Sequence, residues 1–137
     1  MESLQVTIDT GTSPGVYDVT DAAARFVDDV ARGGDGLLHC FVPHATAGIV
    51  VVELGSGSEA DVLGVLDRLL PRDARWTHRH GSPGHGRDHV LPLLAPPSLT
   101  VPVIGGRMAL GTWQSIAVLD TNIDNPRRQV RFSFLPG

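Results

Sequence analysis

Lysine is absent: all eleven basic residues of the 137-residue chain are arginine. Catalysis through a lysine Schiff base and phosphate binding by a P-loop lysine are therefore excluded. A single cysteine, Cys40, leaves no partner for an internal disulfide. Aromatic residues make up 5% of the chain, too few for a stacking platform, and the arginines are scattered among fifteen acids at a formal charge of -4. Apart from a small cluster at Arg127, Arg128 and Arg131 there is no basic stripe, so nucleic acid is not expected as a partner. No apolar run approaches the roughly 20 residues that span a bilayer, so no membrane role is expected. The first residues, "MESLQVTIDTG", lack the basic start and apolar core of a signal peptide, and a cytoplasmic location is the expectation.

What is present fits one compact domain over residues 1–137, large enough to bury its own core. "LQVTI" alternates as a half-buried strand, with Leu4, Val6 and Ile8 on one face. Thr20 or Asp21 opens a helix to about Arg32, in which Ala23, Phe26, Val27 and Val30 share a face. "LLHCFVPH" and "GIVVVE" read as strands, and Ser58 or Glu59 opens a second helix through Leu70, with Val62, Val65, Leu66 and Leu69 inward. Further strands are expected in "SLTVPVIGGRMAL", folded at Gly105-Gly106, in "WQSIAVLD" and in "QVRFSFL". Seven or eight short strands with two main helices that do not alternate with them predict an α+β fold, a mostly antiparallel β-sheet sandwich. No glycine fingerprint follows a strand, which disfavours a dinucleotide-binding fold.

The chemistry is concentrated in histidine. Of six histidines, His78, His80, His85 and His89 fall within twelve positions, in "PRDARWTHRHGSPGHGRD" and the residue after it. That stretch has no hydrophobic period, and a long irregular segment in a small domain is more often functional than idle. Imidazole offers a nitrogen lone pair near neutral pH, and three of them leave a coordination position open for substrate or water. His44, at the start of "PHATAGIVVVE", with two histidines of the later segment forms a candidate set. Glu53, one of only three glutamates, closes that apolar run and is a candidate general base or partner of a ligating imidazole; the alternative is a carboxylate facing water. Thr112 and Gln114 could direct hydrogen bonds to a ligand, and Arg127 or Arg128 could clamp an anion. His39 and Cys40 read as packing residues of a strand.

In order, "PHATAGIVVVE", "WTH", "DH", "SLTVPV", "GGRMALGTWQSI" and "PRRQV" resemble the YjbQ family of secondary thiamine-phosphate synthases, over nearly the whole chain. The resemblance implies a small α+β protein associating as a homotrimer, with pockets near subunit contacts. It selects His44, His78 and His89 as the metal set, His44 and Glu53 as catalytic, and Ser98, Thr112, Gln114 and Arg128 as pocket residues. His80 and His85 fall outside its pattern, Val52 and Leu54 stand where the family commonly has asparagines, and Asp88 stands where a serine is frequent. The implied reaction joins an aminopyrimidine methyl pyrophosphate to a thiazole phosphate with release of pyrophosphate. A zinc-like transition metal is the expected cofactor, with magnesium the alternative that pyrophosphate chemistry usually recruits. Two other functions remain open: a metal-dependent hydrolase of a phosphorylated metabolite, and a trimeric metal- or ligand-binding protein without turnover.

Overall fold

Strand β3 (Gly36–Phe41) sets the pattern of the larger sheet, with Leu38 and Cys40 fully buried while Leu37 and His39 look outward. The structure, a computed structural model, describes residues 1–137. β3 is paired on one side with β8 (Arg127–Pro136) and on the other with β5 (Ser98–Ile104). β1 (Glu2–Asp9) and β6 (Arg107–Met108) complete a five-stranded sheet of order β1-β8-β3-β5-β6. A second sheet of three strands has the order β2 (Gly15–Asp18), β7 (Ser115–Asp120) and β4 (Ala47–Val52). All pairings are antiparallel, so the expected α+β architecture is observed.

The two sheets and α1 (Thr20–Ala31) enclose the main core, in which Leu38, Val42, Ile49, Ile116, Val118, Val130 and Phe132 are at most 1% exposed. Each such side chain contributes about 1.5–3 kcal/mol relative to exposure. Phe26 of α1 stacks on Phe132 at a centroid distance of 6.1 Å, which fixes the helix across β8. Arg32 ends α1 in the left-handed conformation. Helix α2 (Ser58–Leu69) covers a smaller cluster of Leu66, Leu70, Leu91, Ala95 and Leu119. Its buried stripe is rotated from the expected one: Val62, Leu63, Leu66 and Leu70 turn inward, whereas Val65 and Leu69 are 43% and 58% exposed.

Three local expectations change. β2 forms although "GVYD" is too short to show a period, because Tyr17 pairs with Val118 in β7. The hairpin strand after Gly105-Gly106 ends at Met108, since only Val103↔Met108 and Ile104↔Arg107 pair. Trp113 and Gln114 lie in a turn before β7, where Gln114 Oε1 accepts the Gly111 N–H at 2.8 Å.

The connection between the sheets is tight. Val42 and Ile49 donate their N–H groups to Pro97 O and Pro96 O, at 2.7 and 2.9 Å. A Cβ placed on Gly48 would lie 1.9 Å from Ala95 O, so β4 accepts this loop only where it carries glycine. Gly48→Ala must therefore push backbone from backbone. The expected loss is roughly 1–3 kcal/mol or more, read as a lowered denaturation midpoint, and an unchanged midpoint would refute the close approach.

Candidate metal centre

Pro71 ends α2, and the chain then winds without regular structure to a 3-10 turn over His85–His89. Glycine shapes this path. Gly81 and Gly84 have φ of +79° and +75°, and a Cβ on Gly84 would come within 2.5 Å of Arg72 Cγ. A Cβ on Gly86 would lie 2.4 Å from Trp76 Cβ and 2.8 Å from His78 O. The absent side chain at Gly86 thus lets the 76–78 strip lie directly on the turn. Trp76 is fixed from the other side, donating Nε1–H to Pro71 O at 2.8 Å.

The result is a convergence of four imidazoles. One nitrogen from each of His78, His80, His85 and His89 lies within 4.8 Å of the others. His85 Nε2 and His89 Nε2 are 3.1 Å apart, and the ring centroids of His78 and His89 are separated by 4.1 Å. Tetrahedral zinc at about 2.0–2.1 Å from each nitrogen requires nitrogens roughly 3.3 Å apart, so the widest separations, up to 4.8 Å, would have to close by up to about 1.5 Å. The donor chemistry suits zinc, cobalt or nickel and not magnesium, which demands oxygen.

A buried ion-pair network holds the turn. Asp88 has no exposed side-chain surface and accepts from Arg72 Nη2 at 3.2 and 3.3 Å and from Thr121 Oγ1 at 2.7 Å. Arg72 also donates to Thr121 O at 2.6 Å, tying the segment to the end of β7. Arg87, buried as well, donates to Asp67 Oδ1 at 2.6 Å and Leu70 O at 3.1 Å. His85 Nδ1 lies 3.0 Å from Asp124 Oδ2 and 3.2 Å from Asp88 Oδ2, yet makes an aligned hydrogen bond with neither. Beside the imidazoles opens a cleft of about 440 Å³ walled by Arg72, Trp76, Arg79, Ser82 and His85.

The electrostatics keep His78 and His89 available as donors. Desolvation, then the neighbouring His80 and His85, lowers the pKa of His78; desolvation, then His78, His85 and His80, lowers that of His89 against the opposing pull of Asp88. Both rings hold their lone pairs to lower pH than an ordinary imidazole. Asp124 is held below the usual carboxylate range chiefly by the Ser82 N–H, then by the Ser82 hydroxyl, His85 and Arg72.

Of the expected site residues, the structure brings His78 and His89 together and leaves His44 apart. His44 Nε2 instead accepts the Gln129 N–H at 2.8 Å, so that lone pair is committed to β8. Burial and Arg128 lower its pKa, against Asp120. Arg128 is buried at 3% exposure and is not free to clamp an anion: Nε donates to Asp120 Oδ2 at 2.6 Å, and Nη2 to Asp120 Oδ1 and Thr46 Oγ1. Ser98 opens β5 opposite Phe41.

Glu53 lies elsewhere. Ala47 pairs with Asp120 and Val52 with Ser115, so β4 runs away from the Asp120 end, about 3.3 Å per residue, to an exposed Glu53. Thr112 and Gln114, also exposed, precede Ser115 at that same far end. A carboxylate within hydrogen-bond reach of the imidazoles is therefore Asp124 or Asp88 and not Glu53. The converging group includes His80 and His85, which the family pattern leaves out; the i,i+4 spacing of His85 and His89 on one turn is the sequence signal for His85.

A model of the YjbQ-like UPF0047 protein family matches residues 4–137. The chain belongs to the YjbQ-like UPF0047 family. A UPF0047 protein of Mycobacterium bovis is 55% identical over 122 residues, 89% of this chain and 92% of its own length. Another, from Archaeoglobus fulgidus, is 32% identical over 124 residues, 90% of this chain and 93% of that one. Among solved YjbQ-like folds, a hypothetical protein of Aeropyrum pernix K1 superposes with a TM-score of 0.89 at 30% identity, covering both chains completely. A YbjQ-like protein of unknown function from Sulfolobus solfataricus P2 shares the fold at a TM-score of 0.91 and 22% identity, over 99% of this chain and 97% of the other. No helix of this UPF0047 chain is long and apolar enough to cross a membrane.

The lowered imidazoles carry a stability signature. His44, His78 and His89 bind protons less readily folded than at the ordinary value of 6.5, so the unfolded chain takes up more protons as pH falls through that value. Stability is fully present above it and declines below. Metal-free protein should melt at a lower temperature at pH 5.5 than at pH 8, and a higher melting point at the acid pH would contradict the assignment.

Proposed function

We propose that the protein is a metal-dependent enzyme acting on a phosphorylated small molecule in the cleft beside His78, His80, His85 and His89. The convergence of the four imidazoles carries this reading. Three of these imidazoles, His85 and His89 among them, would hold a zinc-type cation and leave a fourth position open, where the cation when bound would polarise a substrate oxygen and stabilise negative charge developing on it. Arg79 is exposed on the cleft wall and supplies a positive charge for a phosphoryl group, while Arg72, locked to Asp88 and Thr121, shapes the wall. Trp76 and Ala74 are the apolar residues of an otherwise polar wall.

Within this class, the finer reading is a secondary thiamine-phosphate synthase, joining the aminopyrimidine methyl pyrophosphate to the thiazole phosphate. The alternative is hydrolysis of a phosphorylated metabolite. The all-nitrogen donor set supports the hydrolase, because departure of pyrophosphate commonly recruits magnesium. Incubation with both precursors distinguishes them: thiamine phosphate and pyrophosphate as products support the synthase, free phosphate or alcohol the hydrolase. A chelator should abolish either activity; turnover that survives complete metal removal would refute both. Elemental analysis supplies the structural counterpart. His85→Ala and His89→Ala should lose bound metal and His44→Ala should retain it, whereas metal loss in the His44 variant alone would restore His44 as a ligand.

The homotrimer belongs to the same proposal. Trp113 is 73% exposed, and Val51, Val65 and Leu69 are exposed as well, apolar surface that a second copy would cover. Trp113 lies at the end of the smaller sheet that carries Glu53, Thr112 and Gln114. A subunit contact there would carry that polar group of one copy toward the imidazoles of another. Light scattering should give three times the chain mass, with Trp113→Asp shifting the protein to monomer and reducing activity; a monomeric parent protein would exclude the arrangement.

A further inference from the structure

Both candidate orienting partners of His85 sit on one side of its ring. Nδ1 faces Asp124 Oδ2 at 3.0 Å and Asp88 Oδ2 at 3.2 Å, whereas Nε2 faces His89 Nε2 at 3.1 Å. The ring is 6% exposed, so a proton on either nitrogen must be placed by protein groups and not by water. Carboxylates only accept at this charge state, so they select the tautomer with the proton on Nδ1. Nε2 is then an acceptor toward His89, and its lone pair points into the group of imidazoles.

The two acids are not equivalent. Asp88 is already committed to Arg72 and Thr121 and has no exposed surface. Asp124 is 31% exposed and is itself held in place by three contacts: it accepts from Ser82 N and Oγ at 3.2 and 3.1 Å, and donates its own N–H to Asn122 Oδ1 at 2.8 Å. Asn122 is in turn anchored through its N–H to Asp120, the partner of Arg128. A carboxylate that makes its side-chain contacts only with Ser82 and His85, and is braced from the core, is built to aim something.

We propose that Asp124 is the positioning carboxylate of the site, fixing His85 as the Nδ1–H tautomer so that Nε2 is presented to His78, His80 and His89. This rests on the reading of the imidazoles as a cation site for its consequence, but the tautomer is measurable without a cation. Nδ1 makes an aligned bond with neither acid here; a cation held at Nε2 would require the same Nδ1–H tautomer that the neighbouring carboxylates favour. Binding and tautomer are coupled, the arrangement in which an outer carboxylate strengthens a ligating imidazole.

The test uses long-range nitrogen–proton correlation of the imidazoles in the intact, metal-free protein, followed by titration with cobalt(II) alone. In the parent protein His85 should carry its proton on Nδ1. Asp124→Ala should move the proton toward Nε2 and weaken cobalt binding about 10–100-fold. Asp124→Asn, which can still accept, should fall between, and Ser82→Ala should leave the tautomer unchanged. A proton on Nε2 in the parent protein overturns the proposal, as does an Asp124→Ala variant that keeps the parent's tautomer and cobalt affinity. If Ser82→Ala reproduces Asp124→Ala, the role is merely structural and the proposal fails. Absence of cobalt binding in the parent, with the expected tautomer, defeats the cation reading and leaves the Asp124 assignment standing.

Discussion

A carboxylate without exposed surface, Asp88, is the point on which the histidine-bearing segment turns. It binds Arg72, sixteen positions earlier in the chain, and Thr121 at the end of β7. A charge so placed is tolerable only while its partners remain, and removing one member of such a buried pair typically costs about 3–5 kcal/mol. The arrangement makes an otherwise irregular stretch of chain adopt one path. His85 and His89 flank Asp88 in sequence, so anchoring Asp88 also fixes the direction in which both imidazoles point.

The same constraint explains why glycine matters where it does. Arg72 can reach Asp88 only if the chain closes tightly at Gly84, and His78 can approach His85 only if Gly86 offers no side chain to Trp76. Polar pairing and backbone clearance act together: the first supplies the attraction, the second removes the obstruction. A second buried pair, Arg128 with Asp120, performs a similar task one layer deeper. Through Asn122 it supports Asp124, and it binds Thr46, two positions after His44, directly.

The fold was largely legible in the sequence because its periods are clear. Alternation in "LQVTI" and the helical spacing of Ala23, Phe26 and Val27 mark β1 and α1, whose cores lie within their own windows. Short pieces were not legible: "GVYD" becomes a strand only because β7 is there to receive it. The site was half legible. Histidine density marks the segment in which four imidazoles converge, but which of them meet depends on how that segment closes. Spacing says nothing of a buried Asp88 or of the Gly86 clearance, so it does not show that His80 and His85 come in beside His78 and His89. The two ends of "PHATAGIVVVE" cannot meet in one chain, since an extended strand separates them; only the pairing of Ala47 with Asp120, beside the Thr121 that binds Asp88, shows which end lies toward the histidine segment.

The account stands on four imidazoles acting as one donor set. X-ray absorption of the protein loaded with a single equivalent of zinc tests this directly. A first shell of nitrogen at about 2.0–2.1 Å, with the multiple-scattering pattern of three or four imidazoles and no sulfur, is the predicted result. A shell dominated by oxygen with one imidazole or none, or one that includes sulfur, would contradict it.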